Sequence, residues 1–238
     1  MRTIRYSVLA MALAFTTFIA AKAQTADEVI QKHITAIGGA DNWKKIKSVK
    51  MQGTANAGGM EMPLSIAILD KKGMKVEYTI NGMTGYSILT NKAGWNFNPF
   101  QGAKKAEALT DEMVKEGQTG LDIAGPLVDY KAKGNTVAFL GKDDVEGTEC
   151  YKLKVTHPTG KSETIFIDAA TYYHIRSVEK IKADGKEMEQ ISTFGNYKKL
   201  PEGIMWPMSI DMGGGGPMDV KSVDINKGVD EAMFVPKG

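Results

Sequence analysis

Polar and apolar positions alternate with period two through most of this chain. In Met60-Glu61-Met62-Pro63-Leu64-Ser65-Ile66-Ala67-Ile68 the even positions are large and apolar. Met74, Val76, Tyr78 and Ile80 alternate with Lys75, Glu77, Thr79 and Asn81, and Tyr151, Leu153 and Val155 with Lys152, Lys154 and Thr156. Ile204, Trp206, Met208, Ile210 and Met212 repeat the pattern late in the chain. Such alternation predicts antiparallel strands with one dry and one wet face. Lys72-Gly73, Asn81-Gly82, Glu146-Gly147, Asp184-Gly185 and Glu202-Gly203 supply the turns between runs. The expectation is a mainly β protein with one antiparallel sheet of about ten strands.

Helical spacing is confined to two regions. Thr25 with Glu28 forms a capping box. Ala26, Ile30, Ile34 and Ile37 then line one face, until Gly38-Gly39 stops the helix, and Asp41 to Ile46 adds a further turn or two. The second region runs from Lys104 to Tyr130, interrupted at Gly117, Gly120 and Gly125-Pro126. A sheet of that size does not stay open and flat; it curls. Two short helical regions under-fill its dry face, so a strongly curved half-open barrel with an apolar cavity is expected.

Met62, Leu64, Ile66, Val76, Tyr78, Trp95, Phe97, Leu121, Trp206 and Met208 are the candidate lining residues. Several methionines fall on the apolar phase of strands, and flexible thioethers suit a surface that accommodates variable alkyl chains. Plain core filling explains the same residues, and composition leaves both readings open. The interrupted segment is expected to act as a movable lid, because Leu109, Met113, Val114, Leu121, Ile123 and Leu127 need a dry partner and its glycines supply hinge freedom. A fixed plug completing the core is the alternative.

The N-terminus bears on location. Arg2 and Arg5 precede an apolar run from Val8 to Ile19, and Ala21-Lys22-Ala23 has the small-x-small spacing of a signal-peptidase site. That run is shorter than the roughly 20 residues a membrane span needs. Residues 1–23 are therefore read as a cleaved signal and 24–238 as a single domain beginning near Gln24, with no cysteine following the cleavage site to carry a lipid anchor. Of the 30 basic residues, Arg2, Arg5 and Lys22 leave with the signal, so 27 remain against 28 acidic ones. That balance gives no reason to expect nucleic acid or an anionic surface as partner.

Catalytic motifs do not emerge. Gly160-Lys161-Ser162 resembles the end of a phosphate loop, but the first glycine would have to stand at Val155. Gly213 to Gly216 has no following helix to receive phosphate. His33, His157 and His174 are scattered, and solvated or capping roles are expected for the first two. There is no Gly-x-Ser-x-Gly elbow, and Asp143-Asp144 lacks a calcium partner set. Cys150, the one cysteine, reads as an inert structural thiol in a strand. No catalytic residue, metal or cofactor is assigned, and a non-enzyme is expected.

Several segments together carry a resemblance. Ala26-Asp27-Glu28-Val29-Ile30, Ala36-Ile37-Gly38-Gly39 and Ile46-Lys47-Ser48-Val49 open the pattern. Gly125-Pro126-Leu127-Val128-Asp129-Tyr130, Val145-Glu146-Gly147-Thr148-Glu149-Cys150-Tyr151-Lys152-Leu153 and Ile167-Asp168-Ala169 continue it. Leu200-Pro201-Glu202-Gly203-Ile204-Met205-Trp206-Pro207 and Val229-Asp230-Glu231-Ala232-Met233-Phe234-Val235-Pro236 close it. In this order they resemble the outer-membrane lipoprotein-sorting proteins, the LolA-like group, over essentially all of residues 24–238. The resemblance implies a half-open antiparallel barrel with a helical lid, located in the periplasm. It implies binding of lipid or lipoprotein acyl chains, with inner-membrane donor and outer-membrane acceptor proteins as partners. The gating arginine of that group has no match here, since Arg176 lies late in the chain beside Tyr173 and His174. A lipid sensor or partner-binding module is the alternative on the same fold, and an enzyme acting on an apolar substrate a third.

Overall fold

A computed structural model describes residues 25–57, 59–183, 186–213 and 216–236. The segment 1–23 read as a signal, Asp184-Gly185, expected as a turn, and Gly214 and Gly215 of the glycine run lie outside the described residues. The chain opens with helices α1 (Ala26–Ala36) and α2 (Ala40–Trp43). Strands β1 (Ser48–Ala57), β2 (Met60–Leu69), β3 (Gly73–Ile80), β4 (Met83–Thr90), β5 (Gly94–Phe97) and β6 (Glu107–Ala108) follow as a meander, and then helix α3 (Asp111–Gly117). A second run comprises β7 (Thr136–Val145), β8 (Thr148–Thr156), β9 (Ser162–Asp168), β10 (His174–Ala183) and β11 (Lys186–Gly195). The small hairpin β12 (Lys198–Lys199) and β13 (Met205–Trp206) intervenes before β14 (Ser209–Asp211) and β15 (Met218–Ile225).

Among the described residues, thirteen strands form one sheet in the order β6-β5-β4-β3-β2-β1-β15-β14-β11-β10-β9-β8-β7, with β12 and β13 pairing separately. Every pairing is antiparallel, and the sheet is not closed into a barrel. The expected mainly β half-barrel is therefore what the chain forms. It has more strands than alternation suggested, because β5, β6, β12, β13 and β14 are two to four residues long. Alternation cannot register in so few residues. Asn81-Gly82 and Glu146-Gly147 take paired positive φ (49° and 78°, 54° and 86°), the type I′ geometry that suits strand twist.

The pairing register defines an inner face. It carries Val49 and Met51 of β1, Leu64 and Ile66 of β2, Leu153 and Val155 of β8, Ile165 and Ile167 of β9, and Val220 and Ile225 of β15. Helix α1 presses Val29, Ile30 and Ile34 onto this face, and these residues form one buried core with those of the sheet. Its start is the expected capping box, with Thr25 Oγ accepting from the Glu28 N–H at 3.2 Å and the Glu28 carboxylate accepting from the Thr25 N–H at 3.1 Å. Its end is a Schellman motif: Gly39 N–H donates to Ile34 O at 2.8 Å and Gly38 N–H to Thr35 O at 3.1 Å.

Two histidines depart from the expected solvated roles. His33 is buried on α1, with Nδ1 2.8 Å from the Tyr172 carbonyl, because the face carrying Ile30 and Ile34 also carries position 33. His157 pairs with Glu163 at 3.0 Å in a mostly buried contact. Cys150 is fully buried, and burial pushes its thiol up to about 11, as suits an inert structural residue.

Gly38 has φ +106°, and a Cβ there would lie 2.2 Å from the Gly203 carbonyl oxygen where the β12–β13 hairpin docks on α1. Left-handed backbone costs a side chain roughly 1–2 kcal/mol, and the collision adds to it. Gly38→Ala should therefore cost about 3 kcal/mol, lowering the melting temperature by roughly 6–12 °C. Gly39→Ala, with φ +86° and no atom within 4 Å of its Cβ, should cost less. Equal losses at the two positions in thermal denaturation would contradict the packing argument.

His174 Nε2 lies 2.8 Å from Ser177 Oγ and 3.0 Å from the Arg176 carbonyl, and its ring tilts against Phe194. Burial, reinforced by the nearby His33, pushes His174 down to about 3. Burial likewise lowers His33. An unfolded histidine takes its proton near pH 6.5 while folded His174 stays neutral to about pH 3. Stability therefore falls as pH drops below about 6.5, by up to about 1.4 kcal/mol per pH unit for His174, and His33 acts in the same direction. Melting temperatures measured from pH 7.5 to 4.5 should fall less steeply for His174→Gln than for the unaltered protein. Parallel curves would remove His174 from the account.

Candidate functional site

The strands place the predicted lining residues in three groups. Met62, Leu64 and Ile66 on β2 and Val76 and Tyr78 on β3 share the inner face, with Leu64 opposite Tyr78 and Ile66 opposite Val76. Ile68, Met74 and Ile80 continue the same rows, and all eight side chains are half-buried. Leu64 and Ile66 touch the main core, while Met62, Ile68, Met74, Val76, Tyr78 and Ile80 belong to no buried cluster. The rows therefore form an apolar trough that runs out from the core along β2 and β3. Tyr78 crosses onto β4, where its ring takes the space beside Gly85; a Cβ there would meet it at 2.6 Å. Its ring also leans on Phe100, with centroids 5.9 Å apart, and burial raises its hydroxyl pKa. The same alternation that marked Met62 also marks Ile68, Met74 and Ile80, so the signal for these three was present in the sequence.

Trp95 and Phe97 do not join this trough. They lie opposite Ile88 and Tyr86, in the contrary pleat phase, and pack on the outer face with Phe234 from a C-terminal 3₁₀ turn, Glu231–Phe234. On β5 the inner face is instead given to Gly94 and Asn96. A Cβ on Gly94 would lie 2.6 Å from the Leu109 side chain, so the glycine makes room for the chain leaving β6. A four-residue strand with aromatics at alternate positions has no intrinsic inside, so the size of Trp95 and Phe97 does not decide their face.

Trp206 and Met208 also sit elsewhere. Trp206 stacks on Trp43 with centroids 5.7 Å apart and is buried in the main core under α2. Met208 is half-buried at the core margin, held by backbone bonds with Gly195 and Val220. Neither belongs to the β2–β3 rows. The alternation at Ile204 to Met212 spans two short strands in different sheets, so its phase does not carry through.

The predicted lid divides into two parts. Residues 109–135 connect the edge strands β6 and β7 and cross the open side of the sheet. Helix α3 begins at Thr110, whose Oγ accepts from Met113 N–H at 3.2 Å, and none of its residues is buried. It rests on the inner face through Gly117, where a Cβ would lie 2.6 Å from Leu89, and the following 3₁₀ turn approaches Met74 at Gly120. Leu121, Leu127 and Val128 are the opposite case, 2%, 3% and 2% exposed. Leu121 O accepts from Lys71 N–H at 2.8 Å, and Asp70 holds the Ile123 N–H at 3.2 Å. The second part is thus a fixed plug, and only residues 111–120 have the exposure of a lid.

Polar contacts tie this first part to both arms. On the β4 side, Gln118 Nε2 donates to Thr90 O at 3.1 Å. On the β9 side, Lys161 reaches Glu116 at 3.1 Å and Glu179 at 2.8 Å. Burial works to lower the Lys161 pKa, but its bonds to Glu179 and Glu116 more than offset this and raise it. Two cavities of about 340 Å³ flank the seam, one bordered by Lys115, Glu116, Lys161 and Glu187, the other by Asp122, Lys133, His157 and Glu163. The first has mixed walls, slightly more polar than apolar, and the second is lined mainly by apolar surface, Pro126 and Pro158 included. The chemistry available at the site is therefore apolar adsorption on the trough, with polar groups along its rim. Among the described residues no cluster of His, Cys, Asp or Glu is arranged to hold a metal ion.

No protein-family model matches the chain, and no curated protein does. Among solved structures, a LolA superfamily protein from Nitrosomonas europaea is similar over 90% of this chain and 98% of its own, at 14% identity and a TM-score of 0.51. An outer membrane lipoprotein-sorting protein domain from Vibrio parahaemolyticus, described as putative, is similar over 87% of this chain and 94% of its own, again at 14% identity, with a TM-score of 0.50. At that identity the likeness is one of architecture. The half-open antiparallel sheet of this chain is thus similar in fold to those two proteins.

Proposed function

We propose that the protein is a non-catalytic lipid carrier of the bacterial envelope. It is exported through the 1–23 signal and holds acyl chains in the trough between β2–β3 and the α3 segment. One observation carries this reading: six half-buried apolar side chains, Met62, Ile68, Met74, Val76, Tyr78 and Ile80, belong to no core cluster, and the helix of the crossover beside them has no buried residue. Globular proteins bury such rows or give them a ligand. The adaptable thioethers of Met62 and Met74 and the smooth wall of Val76 and Ile66 suit alkyl chains of varied length. The lipoprotein-sorting description of the Vibrio domain supports acyl chains of lipoproteins as cargo, passed between inner-membrane donor and outer-membrane acceptor proteins.

Val76→Asp and Tyr78→Asp each place a charge in the trough without entering the main core. Native mass spectrometry and titration with a fluorescent fatty acid should show stoichiometric binding by the unaltered protein. Each variant should bind at least about tenfold more weakly, since one buried apolar side chain contributes roughly 1.5–3 kcal/mol. Unchanged binding in both variants, with folding intact, would move the ligand out of the trough.

Hydrogen exchange should separate the two parts of the crossover. Amides 111–120 should exchange early and change rate when fatty acid is added, whereas 121–128 should exchange with the central strands and ignore ligand. Uniform slow exchange across 111–128, with and without ligand, would make the whole crossover a plug.

A further inference from the structure

Four of the large exposed apolar side chains are methionines at hairpin ends: Met60 (53% exposed), Met83 (48%), Met188 (52%) and Met212 (54%). The register places them at one end of the sheet. Met60 pairs with Ala57 beside the β1–β2 turn, and Met83 with Ile80 beside the β3–β4 turn. Met212 directly follows β14 at the turn into β15, and Met188 pairs with Ile181 near the β10–β11 turn. All four share the inner pleat phase. Met60 continues the row of Met62 and Leu64, and Met83 faces the row of Tyr78 and Ile80. Met212 lies two residues on from Ile210, and Met188 four residues before Ser192, which shares Ser177 as a partner with the core residue Ile165.

We propose that this methionine-tipped end of the sheet docks on a lipid bilayer, each thioether inserting among the headgroups. The spacing favours a lipid surface over a protein. From β4 to β11 is six strand intervals, so the tips are strung along an arc of roughly 30 Å instead of forming one patch. Half-exposed, the four side chains offer on the order of 400 Å², short of the roughly 800 Å² per partner that a stable protein interface buries. A bilayer accepts separate apolar points, because each finds hydrocarbon independently. Charge does not supply the attraction. Charges of both signs stand here, with Glu61, Glu187, Glu189 and Asp219 near Lys180, Lys182 and Lys186 in register, and Lys180 pairs with Glu187 at 3.4 Å. Docking is therefore expected on uncharged phosphatidylcholine surfaces and to be insensitive to salt. It extends the carrier reading, since the tips stand at the end of the trough rows, but it does not require cargo.

Flotation of the purified protein with phosphatidylcholine vesicles tests this directly. The unaltered protein should float with the vesicles at both low and high salt. The quadruple variant Met60→Ser, Met83→Ser, Met188→Ser and Met212→Ser should float at least about tenfold less, because each tip loses its apolar insertion. Each single substitution should give a partial loss. Fatty-acid titration of the same variants should be unchanged, and thermal melting confirms folding; loss of fatty-acid binding in the unaltered protein would overturn the carrier reading and leave docking intact. Absence of flotation, flotation confined to anionic vesicles and abolished by salt, or equal flotation of the quadruple variant would each overturn the proposal. So would dimerisation that the quadruple variant abolishes, which would assign the surface to a second copy of the chain.

Discussion

Everything in this fold follows from the pairing of β1 with β15. Val49 meets Ile225 and Met51 meets Val223, and after a bulge at Gln52 and Gly53 the register resumes with Gly53 opposite Val220. The first and last long strands are thereby fixed at the centre of the sheet, not at its edges. The edges must then be β6 and β7, which are neighbours in sequence and opposite one another in the sheet. Residues 109–135 have to join them, and the shortest path lies across the open inner face. A lid is not an ornament added to this architecture. It is the connection that the central pairing forces.

The sequence showed the phase of the long strands and the ends of α1. Met62 to Ile68 and Met74 to Ile80 hold one phase over at least seven residues, which pins both face and register. Thr25, Glu28 and Gly38-Gly39 act locally, so their geometry is readable from neighbours alone. Trp95, Phe97, Trp206 and Met208 were misplaced because their strands are two to four residues long or absent, and only distant partners choose their faces. For Trp95 and Phe97 that partner is Phe234, more than a hundred residues away. The burial of His33 turned on a similar fact, since its ring meets the backbone of Tyr172.

The trough exists because α1 is too short to cover the sheet. Eleven residues span about 16 Å, and their Val29, Ile30 and Ile34 complete one core with residues of β1, β8, β9 and β15. Beyond that reach, β2 and β3 keep the same apolar pattern with nothing as large as a helix face to meet it. Sequence periodicity reports that a face is dry and cannot report whether anything fills it. The expectation of a cavity rests on a shortage of helix, and Met62, Ile68, Met74, Val76, Tyr78 and Ile80 are the side chains that lie outside the buried clusters.

The contact between α3 and the sheet then sets how readily the site opens. Gly117 against Leu89 and Gly120 near Met74 bring bare backbone close to the trough. Little apolar surface is buried there, and at about 25 cal/mol per Å² little is lost when the segment lifts. A helix of seven residues adds little stability of its own, so its position depends on Gln118 to Thr90 on one side and Lys161 to Glu116 on the other. An alkyl chain lying along Met62 to Ile80 would cover more of the trough than two glycines do. On the proposed function, a bound chain and the closed segment would compete for one surface unequally, while Leu121, Leu127 and Val128 keep the rest of the crossover seated in the core.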